Sequence, residues 1–144
     1  FTTYPPADGI FALRESVAEF MMQREGLDYN TDEILIAAGG RPLIYTLYRA
    51  IVDKGDKVIY SVPSWNNNHY VHFVEGVHQV IETTVENNFM PQAADIRPHV
   101  KGTSLIALCS PLNHTGTVFK KEGLEAICDL VIEEKNQRAP GEKK

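Results

Sequence analysis

No run of this sequence is long and apolar enough to cross a bilayer, which excludes a membrane-spanning helix. No basic stripe stands out either. Lys and Arg number 14 against 19 Asp and Glu, and both signs are mixed along the chain, so the net charge of −5 argues against a nucleic-acid surface. Cysteine is scarce. Cys109 and Cys128 lie far apart without partners at metal-ligand spacing, a pattern that predicts two buried, reduced thiols and a cytoplasmic setting. There is no Gly-x-Gly-x-x-Gly and no phosphate loop ending in Gly-Lys-Ser/Thr, which counts against dinucleotide and nucleoside triphosphate sites. Internal repeats and low-complexity tracts are absent. The opening Phe1-Thr2-Thr3-Tyr4-Pro5-Pro6 has no initiator Met and no basic-then-apolar leader. The last residues are polar, and both ends read as cuts through a longer protein.

What is present is an alternation of helical and extended patterns in 144 residues, enough for one domain with a core. Residues 1–9 read as an N-terminal loop, 10–135 as an α/β core and 136–144 as a polar tail. In 10–24, Ile10, Leu13, Val17, Phe20 and Met21 recur at helical spacing, with Arg14, Glu15, Glu19 and Arg24 on the wet side, Asp8 as a cap and Gly26 as the stop. Strand-like runs follow at 33–38, 57–62, 77–85 and 104–109. Between them lie helical patterns from Pro42 (Leu43, Leu47, Ala50, Ile51), over 66–75 and, briefly, in 92–100. A last helix over 120–135 presents Leu124, Ile127, Cys128 and Val131. Strands alternating with helices predict an α/β fold, a three-layer α/β/α arrangement around a mostly parallel sheet.

Three turns then draw the eye, each following a strand-like run. Gly39-Gly40-Arg41 precedes a helix, and amides at a helix opening favour an anion, phosphate above all; a plain tight turn is the alternative. Trp65, after Val62-Pro63-Ser64, could stack on a planar ring or pack in the core. Asn113, in Ser110-Pro111-Leu112-Asn113-His114-Thr115-Gly116-Thr117, could hydrogen-bond a ligand oxygen or close a local Asx turn. His114 reads as a solvated turn residue or a supporting donor. In an open parallel sheet these turns share one edge, where ligands gather. One flat, anionic guest would use all three, and pyridoxal phosphate has the necessary parts. His69, His72 and Glu75 have helical spacing but no further ligand, so a surface helix explains them better than a metal. Tyr45 and Tyr48 read as packing residues.

Taken in order, these segments resemble the large domain of the class I/II, fold-type I aminotransferases. The matching stretches are Tyr4, Gly9-Ile10 with Leu13-Arg14-Glu15, Gly39-Gly40-Arg41, Lys54-Gly55-Asp56-Lys57-Val58, Pro63-Ser64-Trp65 and Ser110-Pro111-Leu112-Asn113-His114-Thr115-Gly116. The resemblance implies pyridoxal 5′-phosphate as cofactor. It gives the cofactor phosphate to the backbone of Gly39, Gly40 and Arg41, the pyridine ring to the face of Trp65, and the ring's phenolic oxygen to Asn113. It implies a homodimer in which Tyr4 reaches the partner's cofactor phosphate, and amino acids and 2-oxo acids as substrates. Two departures stand out. His114 occupies the place where the family usually has Pro, and no lysine here matches the one that holds the cofactor covalently, so no catalytic residue is assigned. The segment alone is therefore expected not to transaminate, and its sheet to carry an unpaired edge. Carbon–sulfur lyases, amino-acid synthases and the ligand-sensing half of some transcription regulators share the scaffold, and a nucleotide-binding α/β module is a more distant rival.

Overall fold

The computed structural model describes residues 4–139 and 141. In chain order it contains α1 (Phe11–Glu25), a 3₁₀ turn (Thr31–Glu33), α2 (Gly40–Ile51), β1 (Lys57–Val62), α3 (Asn67–Phe73), β2 (Val77–Glu82), a second 3₁₀ turn (Val85–Asn87), α4 (Ala93–Ile96), β3 (Thr103–Ala107) and α5 (Lys121–Gln137). The chain divides into two compact units, 1–46 and 47–144, with the boundary inside α2.

The second unit is built on β1. This strand pairs in parallel with β2 on one side and β3 on the other. Alternation along β1 sends side chains into two separate cores. Val58 and Tyr60 pack with Tyr48 and Val52 from the end of α2 and with Tyr70, Val71 and Val74 around α3. Ile59 points the other way, to Ile81, Ile96, Val100, Ile127 and Leu130. Helices therefore cover both faces, and within this unit the expected three layers and parallel sheet are found. Lys57 fixes the start of β1 by donating from Nζ to the carbonyls of His99 (2.7 Å) and Lys101 (2.6 Å). Gly76, before β2, is closely packed: a Cβ there would stand 3.2 Å from both the Asp56 carbonyl and Val71 Cγ1.

Several expectations need correction here. Strand β2 stops at Glu82 because Val85–Asn87 coils, and β3 stops at Ala107, two residues short of Cys109. On α5 the buried residues are Ile127 and Leu130, whereas Leu124, Cys128 and Val131 are exposed. Cys128 and Val131 line an open groove with Leu105 and Leu108, beside the edge of β3 that has no strand partner among the described residues. Cys109 is exposed too, so both thiols are free but neither is buried. The helix also runs past Lys135 to Gln137, and Arg138 clips its end to the sheet by donating to the Thr103 carbonyl (2.7 Å).

In the first unit α1 forms and ends as expected at Gly26, with φ +69. The expected strand over 33–38 does not form. Its start is a 3₁₀ turn, and the extended stretch beyond it has no strand neighbour among the described residues to take a ladder of hydrogen bonds. Instead the Ile36 amide donates to the Asp8 carbonyl (3.0 Å). Gly9, with φ +102, lies so close that a Cβ would meet Ile36 Cβ at 2.6 Å. Arg14 does not face water. It is 8% exposed, ion-paired to Asp8 at 2.9 Å and donating to the Thr31 carbonyl at 3.0 Å. Asp8 is thus held by Arg14 rather than capping α1, whose N-cap is Ile10 without a side-chain bond. Ile10, Leu13 and Phe20 remain about half exposed.

Two outcomes follow for stability. Ile59 is 1% exposed at the centre of the sheet, so Ile59→Ala should cost about 2–5 kcal/mol in chemical denaturation, while Ile132→Ala, at a position 56% exposed, should cost far less. Burial, with Tyr60 and Tyr70 close by, pushes the Tyr48 phenol up to about 12. A phenol that holds its proton more tightly in the fold contributes stability that is intact below about pH 10 and is lost as pH rises towards 12. The denaturation midpoint should therefore fall over that window, and fall less for Tyr48→Phe.

Candidate functional site

Because β1 and β3 run parallel in register (Ile59 opposite Ile106, Tyr60 opposite Ala107), the chain leaves both strands at the same edge of the sheet. After β1 it passes through Pro63, Ser64 and Trp65 to Asn66, whose φ of +63 turns it into α3. The Asn66 carbonyl accepts from the amides of His69 (3.0 Å) and Tyr70 (3.2 Å) and so closes the first turn of α3. Trp65 sits on this short link at 50% exposure and is not a core residue. Just past the end of β2, Thr83 Oγ1 donates to the Val62 carbonyl (2.7 Å) and ties down the end of β1.

The turn after β3 is closed by its own bonds. The Leu112 amide donates to the Thr117 carbonyl and the Gly116 amide to the Leu112 carbonyl, both at 2.8 Å. Gly116 takes φ +74 there, a conformation that favours glycine. The Thr115 and Thr117 hydroxyls share a bond of 2.8 Å, and Ser110 Oγ accepts from the Phe119 amide at 3.2 Å. Leu112, 3% exposed, anchors the turn, and Asn113 and His114 stand at its tip. The bonds before Pro63 and Pro111 are cis, while the Asn113–His114 bond is trans.

These two loops meet. The rings of Trp65 and His114 lie 5.8 Å apart between centroids at 85°, the edge of one against the face of the other. Asn113 is exposed and its carboxamide makes no hydrogen bond among the described residues, so the Asx turn is not formed. His114 is also exposed, but its ring rests on the indole instead of standing alone in water. Nothing in the sequence signalled that contact, because the two residues come from separate loops and only strand pairing makes them neighbours.

The remaining candidates lie in the first unit. Gly39, with φ +111, bends the chain, and its amide donates to the Ala37 carbonyl at 2.8 Å. Helix α2 opens at Gly40, where an added Cβ would meet no atom within 4 Å. First-turn amides of a helix lack intrahelical acceptors and attract anions. Arg41 is exposed beside them, and Tyr4 is fully exposed. Among the described lysines, Lys57 holds two carbonyls, Lys54 pairs with Glu75, and Lys121 with Glu125. Among the described residues no group of three or more His, Cys, Asp or Glu could hold a metal; His69 and His72 pack beside Phe73. Among them, too, no helix is long and apolar enough to cross a membrane.

Comparison with known proteins converges on one family. The family model described as aminotransferase class I and II matches residues 1–136. The chain is 37% identical over 134 residues to an aspartate/prephenate aminotransferase of Thermus thermophilus, covering 92% of this chain and 35% of that protein. It is 32% identical over 135 residues to an aspartate aminotransferase of a Bacillus species, covering 92% and 34%. A solved structure of the Thermus thermophilus aspartate aminotransferase with maleate superposes with a TM-score of 0.87 at 36% identity, over 92% of this chain and 35% of that one. An alanine aminotransferase from Pyrococcus furiosus gives 0.86 at 27% identity, over 92% and 34%. The chain thus spans about a third of the length of the curated relatives it matches. With the parallel sheet and the sequence in agreement, the chain belongs to the class I and II aminotransferases.

Proposed function

We propose that this chain is the cofactor-holding part of an aminotransferase that uses pyridoxal 5′-phosphate to move an amino group between an amino acid and a 2-oxo acid. The observation that carries the reading is the meeting of Trp65 with the Asn113 turn at the ends of adjacent parallel strands. The donor set suits the cofactor part by part. Trp65 offers a half-exposed indole for the pyridine ring. Asn113 offers an unbonded carboxamide for the ring's phenolic oxygen, where a donated hydrogen bond stabilises the anion. Gly39, Gly40 and Arg41 offer a glycine bend, helix-opening amides and a cation for the phosphate. When bound, the cofactor supplies the electron sink that accepts the charge left as the substrate's α-proton departs. The exposed Tyr4 supports a homodimer in which it reaches the partner's site, and the two free thiols support a cytoplasmic setting.

Pyridoxamine 5′-phosphate is the probe of choice, because it lacks the aldehyde that would react with stray lysines. Trp65 is the sole tryptophan, so its emission reports on the site directly. The probe should quench that emission saturably, and pyridoxamine without the phosphate should bind at least about tenfold more weakly. Nucleotides should not compete. Asn113→Ala should weaken binding about 10- to 100-fold, the range for a hydrogen bond to a charged group. Absence of saturable quenching, or displacement of the probe by adenosine nucleotides, would refute the proposal.

A further inference from the structure

We infer that His114 is a positioning residue that sets the orientation of the Trp65 indole. The inference rests on the reading of Trp65 as the residue that stacks on the cofactor ring. It starts from an asymmetry between the two loops. The turn that carries His114 is closed by backbone bonds from the Leu112 amide to the Thr117 carbonyl and from the Gly116 amide to the Leu112 carbonyl, and is anchored by the buried Leu112. Its tip is therefore fixed relative to β3. Trp65 has no such support. Half of its surface is in water, its indole N–H donates to no group among the described residues, and its one ring partner among them is His114. The His114 ring in turn forms no hydrogen bond among the described residues, so the indole is its partner as well.

An edge-to-face pair has a preferred geometry, because the positive edge of one ring meets the negative face of the other. At 5.8 Å and 85° this pair lies in that arrangement. It ties a loosely held side chain from the β1 loop to a rigid turn after β3, and it fixes the plane that the indole offers to a flat ligand. A stacking residue whose ring is already oriented loses less freedom on binding. His114 therefore acts on the ligand through Trp65, without needing to touch it.

The test uses the full chain and its single tryptophan. Time-resolved anisotropy of Trp65, without ligand, should show faster local rotation in His114→Ala and His114→Gln and near-normal rotation in His114→Phe, which keeps an aromatic edge. Pyridoxamine 5′-phosphate affinity should fall about 2- to 12-fold in the first two and recover in the third, the fold-change that corresponds to an aromatic pair. Unchanged Trp65 rotation in His114→Ala, or wild-type behaviour of His114→Gln, would overturn the inference. The two readouts fail separately. If the wild-type chain does not bind the probe, the cofactor reading falls, while the anisotropy still decides whether His114 orients Trp65. Far-UV circular dichroism of each variant checks that the fold is kept, and the Gln and Phe variants, both close in size to His, decide the matter if Ala disturbs the turn.

Discussion

The parallel pairing of β1 with both of its neighbours is the constraint on which the second unit depends. Parallel strands joined by helical crossovers must all end at the same edge. Once Ile59 lies opposite Ile106 and Tyr60 opposite Ala107, the loops after Val62 and Ala107 have to emerge side by side. Burial on both faces holds that register. A slip by one residue would move Ile59 out of one core and Tyr60 out of the other, losing packing on both sides at once. The contact between Trp65 and His114 is therefore a consequence of core packing some distance away.

Much of this could be read from the residues. Strand β1 was visible to the residue, because Lys57–Val62 is a short apolar run between a Gly-containing turn and a proline. The ends of α1 and α2 were marked by Gly26 and by the Gly39-Gly40-Arg41-Pro42 sequence. What misled was burial. An apolar period locates a face on a helix but does not say what covers it. Ile10, Leu13 and Phe20 keep their period and stay half exposed, while Arg14 goes inside because Asp8 and the Thr31 carbonyl satisfy its guanidinium. The run at 33–38 has strand composition, yet composition supplies no partner for its amides. The thiols failed for a similar reason: Cys109 follows the last paired residue of β3, and Cys128 lies on the flank of α5 that looks past the sheet edge.

The site divides along the same line. Its residue types were legible because they carry chemistry of their own: a lone tryptophan, an asparagine in a Pro- and Gly-containing turn, and glycines before a helix. The state of those residues was not. Only the fold tells that Trp65 stays out of the core and that Asn113 declines the local turn bond that its side chain commonly makes. The support given by His114 was wholly invisible, since it exists only through β1–β3 adjacency.

That contrast bears on function more directly than any single motif. A side chain that stabilises its own fold spends its interactions inside the protein, as Tyr48 does by burying its ring and donating to Asn67 Oδ1 at 3.0 Å. Trp65 and Asn113 do the opposite. An indole half in water gives up part of its hydrophobic stabilisation, and an exposed carboxamide without a protein partner adds no hydrogen bond to the fold. Around them the backbone is fixed by Thr83, Ser110, Leu112 and Thr117. Rigid loops presenting under-used side chains are what a binding site requires, because the geometry is set before the ligand arrives and the interactions remain to be made. Trp65 and Asn113 stand together beyond the ends of adjacent strands, and local disagreement with the rules of folding often marks a site of function.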